Sequence, residues 1–266
     1  MTAKKSHIIL STENLSIGYH QKKKRSIVAS EINLSVSSGK FVALLGKNGI
    51  GKSTLLRTLS GVQEVLSGTI SLKENSLKSY THSELATTLS LVLTERLPES
   101  QLTVLELVAL GRQPYTNWVD KLSEVDSEKI AWAMELTETE HLKERPFYEL
   151  SDGQLQRVLI ARALAQDTDV IILDEPTAHL DIHHTIKIFT LLQKLVMTTN
   201  KTILISTHEI NLAIQFANHF ILMDEKDCHS GNLEKMIEKK AFDVLFSSEL
   251  IKFDRRLQQF VIQKKN

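Results

Sequence analysis

Nine consecutive residues, GKNGIGKST from Gly46 to Thr54, fit the phosphate-loop pattern G-x-x-x-x-G-K-[ST], with an apolar run before them and helical spacing after. Gly46, Gly49 and Gly51 let the main chain curl, so that the amides along Lys47, Asn48 and Ile50 turn into one concavity suited to phosphate oxygens. Lys52 adds a mobile positive charge for β and γ phosphates, the Ser53 hydroxyl can ligate Mg²⁺, and Thr54 completes the pattern. A second group ends the run VIILDE, where Asp174 and Glu175 follow four apolar residues. One carboxylate there can hold Mg²⁺ while the other orients or deprotonates an attacking water. LSDGQ, Leu150 to Gln154, opens a helix with Ser151 as N-cap and is a second candidate anion site, offering Ser151, Gly153 and Gln154. His208, after the run TILIS, could reach a γ-phosphate or its water, although a lone histidine at a strand end is more often a capped surface residue.

These groups need elements to hold them. Several short strands are predicted before the loop, the last over Phe41 to Leu45, with a helix from Ser53 to Leu59 and another strand over 68–74. From about Glu84 to Gln166 the pattern is mostly helical, interrupted near Pro98 and Pro146. A strand–helix rhythm then returns: VIILDE, a helix through HHTIKIFTLLQKLVM, TILIS, the helix EINLAIQFANH, and FILM. That alternation predicts an α/β layered fold with a parallel sheet and an inserted helical part. KKKR, Lys22 to Arg25, reads as a solvated hairpin tip, with contact to anionic lipid or nucleic acid as the alternative.

Composition narrows the class. The 266 residues carry 32 Lys plus Arg against 32 Asp plus Glu, so no net field argues for nucleic acid. Apolar runs such as FVALL, VIIL and TILI fall far short of the roughly 18–20 residues a bilayer span needs. MTAKKSHIIL is not patterned as a secretory signal, and the single Cys228 cannot form a disulfide within the chain.

GKNGIGKST, LSDGQ, VIILDEP, AHLD and STH, in that order, resemble an ATP-binding cassette protein, the motor subunit of ABC transporters, over about Leu10 to Phe246. The resemblance implies a P-loop NTPase core with a mixed or parallel sheet, an N-terminal antiparallel β subdomain and an inserted helical subdomain. In this chain it would place the cassette at residues 8–246, the helical insertion at 88–165 and a C-terminal tail at 247–266. It implies ATP and Mg²⁺ as cofactors. Lys52 would bind phosphate, Ser53 and Asp174 would hold Mg²⁺, Glu175 would be the catalytic carboxylate and His208 the switch histidine. Tyr19 would stack on adenine and Asp181 would sit between cassettes. Leu150 to Gln154 would contact the γ-phosphate of ATP held by a facing second copy.

Two positions depart from the family pattern. Thr94 stands where a glutamine is usual and could ligate the metal through a water, with Glu95 beside it. Asp152 replaces the usual glycine of the signature, and its side chain is expected to turn away from phosphate and cap its own helix. LGRQPY, Leu110 to Tyr115, and AHLDIHH, Ala178 to His184, resemble the importer branch that takes up ferric siderophores, haem or cobalamin. Such a motor works with separate transmembrane permease subunits and a substrate-binding protein, peripheral on the cytoplasmic face of the membrane, without nucleic acid. The alternative is a soluble cassette ATPase in assembly, such as iron–sulfur cluster biogenesis. A GTPase is disfavoured because Asn200-Lys201 is followed by Thr-Ile and not by x-Asp.

Overall fold

The computed structural model describes residues 7–21, 24–94, 98, 100–116, 121–225, 227–245 and 250–263. The chain forms two compact units, Met1–Ser79 with Thr202–Asn266, and Tyr80–Lys201.

The first unit opens with a long strand, β1 (Ile8–Gln21), paired antiparallel with β2 (Lys24–Ile32). Gln21 lies opposite Lys24 at the end of this pair; Lys22 and Lys23 of the KKKR run fall outside the described residues. β3 (Ser35–Ser37) also pairs with β1, and β4 (Phe41–Gly46) leads into α1 (Lys52–Leu59). β5 (Ser67–Leu72) pairs antiparallel with β1 and turns into β6 (Asn75–Ser76). The strand expected to run to residue 74 stops at Leu72. Lys73 and Glu74 have φ of 50° and 66°, the two left-handed positions of a tight hairpin turn, occupied without the Asn-Gly that usually marks one.

In the second unit α2 (His82–Thr88) is followed by β7 (Leu89–Val92), a strand inside the stretch expected to be helical. Then come α3 (Val104–Ala109), a 3₁₀ turn at Leu110–Tyr115, α4 (Glu124–Leu136) and α5 (Asp152–Ala165). β8 (Val170–Leu173) pairs parallel with β7, Leu91 opposite Ile172, and α6 (Ile182–Thr199) closes the unit. Helices α2, α3, α4 and α5 all begin with a reciprocal capping box: Thr81 with Glu84, Thr103 with Glu106, Ser123 with Asp126 and Ser151 with Gln154. In each, the first side chain accepts an N–H of the opening turn and the fourth residue reaches back, satisfying two otherwise orphaned donors.

LGRQPY ties the helices of this unit together. Arg112 is buried; its Nε donates to Asp126 Oδ1 at 2.8 Å and a terminal nitrogen donates to the Ala165 carbonyl at 2.8 Å. Its guanidinium lies 3.8 Å over the Tyr115 ring, and the Tyr115 hydroxyl donates to the Gln166 carbonyl. A side chain at Gly111 would strike the Arg162 carbonyl, so the turn lies directly against α5. Arg112 and Tyr115 therefore satisfy main-chain carbonyls at the C-terminal end of the helix whose other end carries LSDGQ.

The first unit resumes with β9 (Thr202–Ser206), α7 (Ile210–Phe216), β10 (His219–Met223), β11 (Cys228–Gly231), α8 (Leu233–Glu238), α9 (Ala241–Leu245), β12 (Ile251–Asp254) and β13 (Gln259–Ile262). β4 lies between β10 and β9, parallel to both, with Leu44 opposite Ile221 and Ser206. Every residue of β4 is buried, as expected of a parallel strand covered on both faces. The described part of the C-terminal stretch is the β12–β13 hairpin. Phe253 stacks on Phe242 of α9 at 4.7 Å, and Phe260 meets both rings edge-on.

Candidate functional site

β4 delivers Gly46, and the chain turns through residues 47–51 before α1 begins. Gly49 and Gly51 have φ of 75° and 110°, left-handed values that cost other residues on the order of 1 kcal/mol. Among the described residues no atom stands within 4 Å of where a Gly49 Cβ would be, so backbone shape, not packing, asks for glycine there. A Cβ on Gly51 would instead strike Val28. Helix α1 starts after Gly51 with no side-chain cap among the described residues and no acidic residue in its first turn. The positive end of its dipole therefore favours an anion there.

Lys52 is only 5% exposed, and its ammonium donates to the carbonyls of Gly46 at 2.9 Å and Lys47 at 3.2 Å. The charge is thus held on the loop itself. Ser53 is half-buried beside it. Tyr19, half exposed on β1, shares a 3.0 Å hydrogen bond with the hydroxyl of Thr54, which fixes the phenol and leaves part of the ring accessible for stacking. His208 lies two residues beyond β9. Ser206 pairs with Leu44 two residues before the glycine turn, so the exposed His208 and the loop leave the same edge of neighbouring parallel strands. The first unit accordingly brings together the phosphate loop, Tyr19 and His208.

The carboxylates belong to the second unit. Asp174 prolongs the ladder past β8, its N–H donating to the Val92 carbonyl, and is buried. Glu175 breaks away with φ 49°, a strained conformation for a residue with a side chain, and is half-buried. The two acids differ in environment, as adjacent residues at a strand end should. The Thr94 hydroxyl donates to the Asp174 carbonyl at 3.0 Å, tying the end of β7 to that of β8, while its lone pairs remain able to accept from a water. Glu95 lies outside the described residues. Thr94, Asp152, Asp174, Glu175 and His179 line one hollow of this unit.

The expectation that Asp152 caps α5 needs correcting. Ser151 is the cap, accepting the Gln154 N–H at 3.4 Å, and the Gln154 side chain accepts the Ser151 N–H at 3.1 Å. Asp152 is the next residue, already helical, where its carboxylate cannot take the capping position. It stays exposed in the first turn, where the dipole favours its charge.

Asp181 caps α6: one oxygen accepts the His184 N–H at 2.9 Å and the other lies 2.7 Å from His184 Nδ1. The His184 main-chain N–H, and then its ring, hold the Asp181 carboxyl below the usual range. His184 had no role from sequence; the Asp-x-x-His spacing across a helix start was the available signal. Asn200 and Lys201 have structural roles. Asn200 ends α6 with φ 57°, and the Lys201 ammonium donates to Asp167 at 2.8 Å and to the Thr168 carbonyl at 2.7 Å.

With this geometry in view, similarity to known proteins is specific. The family model described as ABC transporter matches residues 29–178. The chain is 35% identical over 241 residues to the petrobactin import ATP-binding protein FpuD of Bacillus anthracis, covering 90% of this chain and 87% of that protein. It is 37% identical over 214 residues to the iron(3+)-hydroxamate import ATP-binding protein FhuC of Bacillus subtilis (strain 168), covering 80% and 78%. Among solved structures, a dimeric ATP-binding cassette in a post-hydrolysis state, bound to ADP and phosphate, superposes with a TM-score of 0.72 at 28% identity, over 84% of this chain and 98% of that one. An α/β P-loop architecture, a glycine curl opening an uncapped helix, and these relatives have one reading: the chain belongs to the ABC transporter family, as one of its ATP-hydrolysing cassettes.

Proposed function

We propose that this cassette drives import of a ferric siderophore through separate permease subunits, working as a pair of copies on the cytoplasmic face of a membrane with a substrate-binding protein on the other side. The observation that carries the nucleotide part is the start of α1: uncapped amides after a left-handed glycine curl, with a buried lysine folded onto the same loop. The cargo follows the printed names of the relatives, which import petrobactin and iron(3+)-hydroxamate. Among the described residues no helix is long and apolar enough to cross a membrane, so permeation requires other subunits.

In this reading the amides from Gly46 through Thr54 cradle the phosphates, Lys52 neutralises β and γ oxygens, and Tyr19 stacks on adenine. Mg²⁺, when bound, would neutralise phosphate charge. Ser53 and Asp174 would hold it, with Thr94 reaching it through a water. The donor set fits, because hydroxyl and carboxylate oxygens are what a hard cation takes. Glu175 accepts a proton from the water that attacks the γ-phosphorus as the bond to the bridging oxygen breaks, and His208 steadies the departing phosphate. Ser151, Gly153 and Gln154 close on ATP held by the second copy, beside its Asp181, so that nucleotide binding becomes subunit closure.

The test is reconstitution with its permease subunits in lipid vesicles. ATP-dependent uptake of a radiolabelled ferric siderophore is expected from the parent. Glu175→Gln should bind ATP yet lose turnover by about a hundredfold or more, and uptake with it. Uptake that survives the variant, or ATP turnover within a few-fold of the parent, refutes the assignment.

A further inference from the structure

Gly153 lies in the first turn of α5, where glycine is unfavourable relative to alanine by about 0.5–1 kcal/mol and so needs a reason. A Cβ there would stand 2.8 Å from Cδ2 and 3.2 Å from Cγ of His184, closer than packed side-chain atoms approach. The ring of His184 therefore occupies the space that a side chain at 153 would need. The same histidine is bonded at the other side of its ring: Nδ1 lies 2.7 Å from Asp181 Oδ2, and its main-chain N–H is capped by Oδ1 of that carboxylate. His183 approaches edge-on with ring centroids 5.8 Å apart, limiting the swing of the imidazole on its own helix. One side chain thus spans two segments far apart in sequence, the tip of α5 and the loop ahead of α6.

We propose that His184 is a positioning residue that sets the placement of the signature tip relative to the Asp181 loop. This rests on the reading above that both segments face the second copy. If each meets the other cassette, the affinity of pairing depends on their mutual spacing, and a ring held against bare glycine on one side and a carboxylate on the other fixes that spacing. His184 is also a poor candidate for a purely structural residue. Its side chain is 41% exposed, so truncation opens no core cavity, and it lies outside the phosphate loop that takes up nucleotide.

The experiment uses the full chain in the Glu175→Gln background, where ATP accumulates unhydrolysed and pairing is read by analytical ultracentrifugation against ATP concentration. His184→Ala is expected to raise the ATP concentration for half-maximal pairing by about threefold, the scale of one lost partly exposed ion pair. The affinity of the unpaired chain for a fluorescent ATP analogue and its melting temperature should stay near those of the parent. His184→Asn restores a donor to Asp181 without the ring, and His184→Phe keeps a ring against Gly153 without the bond; each should recover part of the loss. Pairing by His184→Ala equal to the parent overturns the proposal, as does an equal loss of affinity in the unpaired chain.

Hydrogen exchange of the amides at residues 153–155, measured on the unpaired chain, gives an answer that does not depend on pairing. Faster exchange in His184→Ala supports the tie, and unchanged exchange overturns it. Should the Glu175→Gln parent itself fail to pair with ATP, the reading of the signature falls, while the exchange result still decides His184.

Discussion

Arg112→Ala offers a stability test whose size follows from the geometry. Arg112 is 4% exposed, and its removal leaves two acceptors behind, the Asp126 carboxylate and the Ala165 carbonyl. Breaking a buried ion pair by deleting one partner costs about 3–5 kcal/mol, because the surviving charge stays out of water. Asp126 retains the Ser123 hydroxyl at 2.6 Å and the Ser123 N–H at 2.9 Å, which selects the lower end, about 3 kcal/mol. The stranded carbonyl adds about 1 kcal/mol. Both tryptophans, Trp118 and Trp132, fall within Tyr80–Lys201, so intrinsic fluorescence in a urea titration reports that unit. With a slope of about 2 kcal/mol per molar, the midpoint should fall by about 2 M, and Arg112→Lys, which keeps the charge but not the two-pronged donor, by about half as much. Asp126 is held below its ordinary value by the Ser123 hydroxyl first, with the Ser123 N–H and Arg112 assisting against burial. A depressed folded value means that its contribution is complete above the unfolded pKa of about 3.9 and is lost as pH falls through the folded one. The gap between parent and Arg112→Ala should therefore be full at pH 7 and narrow below about pH 4. A midpoint shift below about 0.5 M, or a gap that widens on acidification, would refute the argument.

Tyr19→Ala should weaken ATP binding by about tenfold in calorimetric titration, whereas Tyr19→Phe, which loses only the bond to Thr54, should stay within about threefold; equal losses would remove the ring from the site. Gly51→Ala should lose more thermal stability than Gly49→Ala, because both strain the backbone but only the first strikes Val28. Adding Val28→Ala should recover part of the Gly51→Ala loss and none of the Gly49→Ala loss. Recovery of both would mean that the added methyl at residue 49 is crowded as well.

The phosphate loop was legible because its demands are local. A glycine curl, a lysine and a hydroxyl follow one another in nine residues, and the flanking strand and helix announce themselves by their own periodicity. The Ser151 cap was legible for the same reason. β7 was not. Its four residues continue a helical pattern, and they are a strand because Leu91 finds Ile172 eighty-one residues later. The role of Arg112 was not legible, because nothing in LGRQPY names Asp126 or the far end of α5 as its partners. His184 was hidden by the same distance: nothing near it in sequence names Gly153 as a neighbour, and only the space around the buried Gly153 reveals that the His184 ring fills it. Gly153→Ala should therefore lower the melting temperature by displacing the ring, and adding His184→Ala, which alone leaves it near that of the parent, should recover most of the loss; no recovery would mean that something other than the ring excludes a side chain at 153.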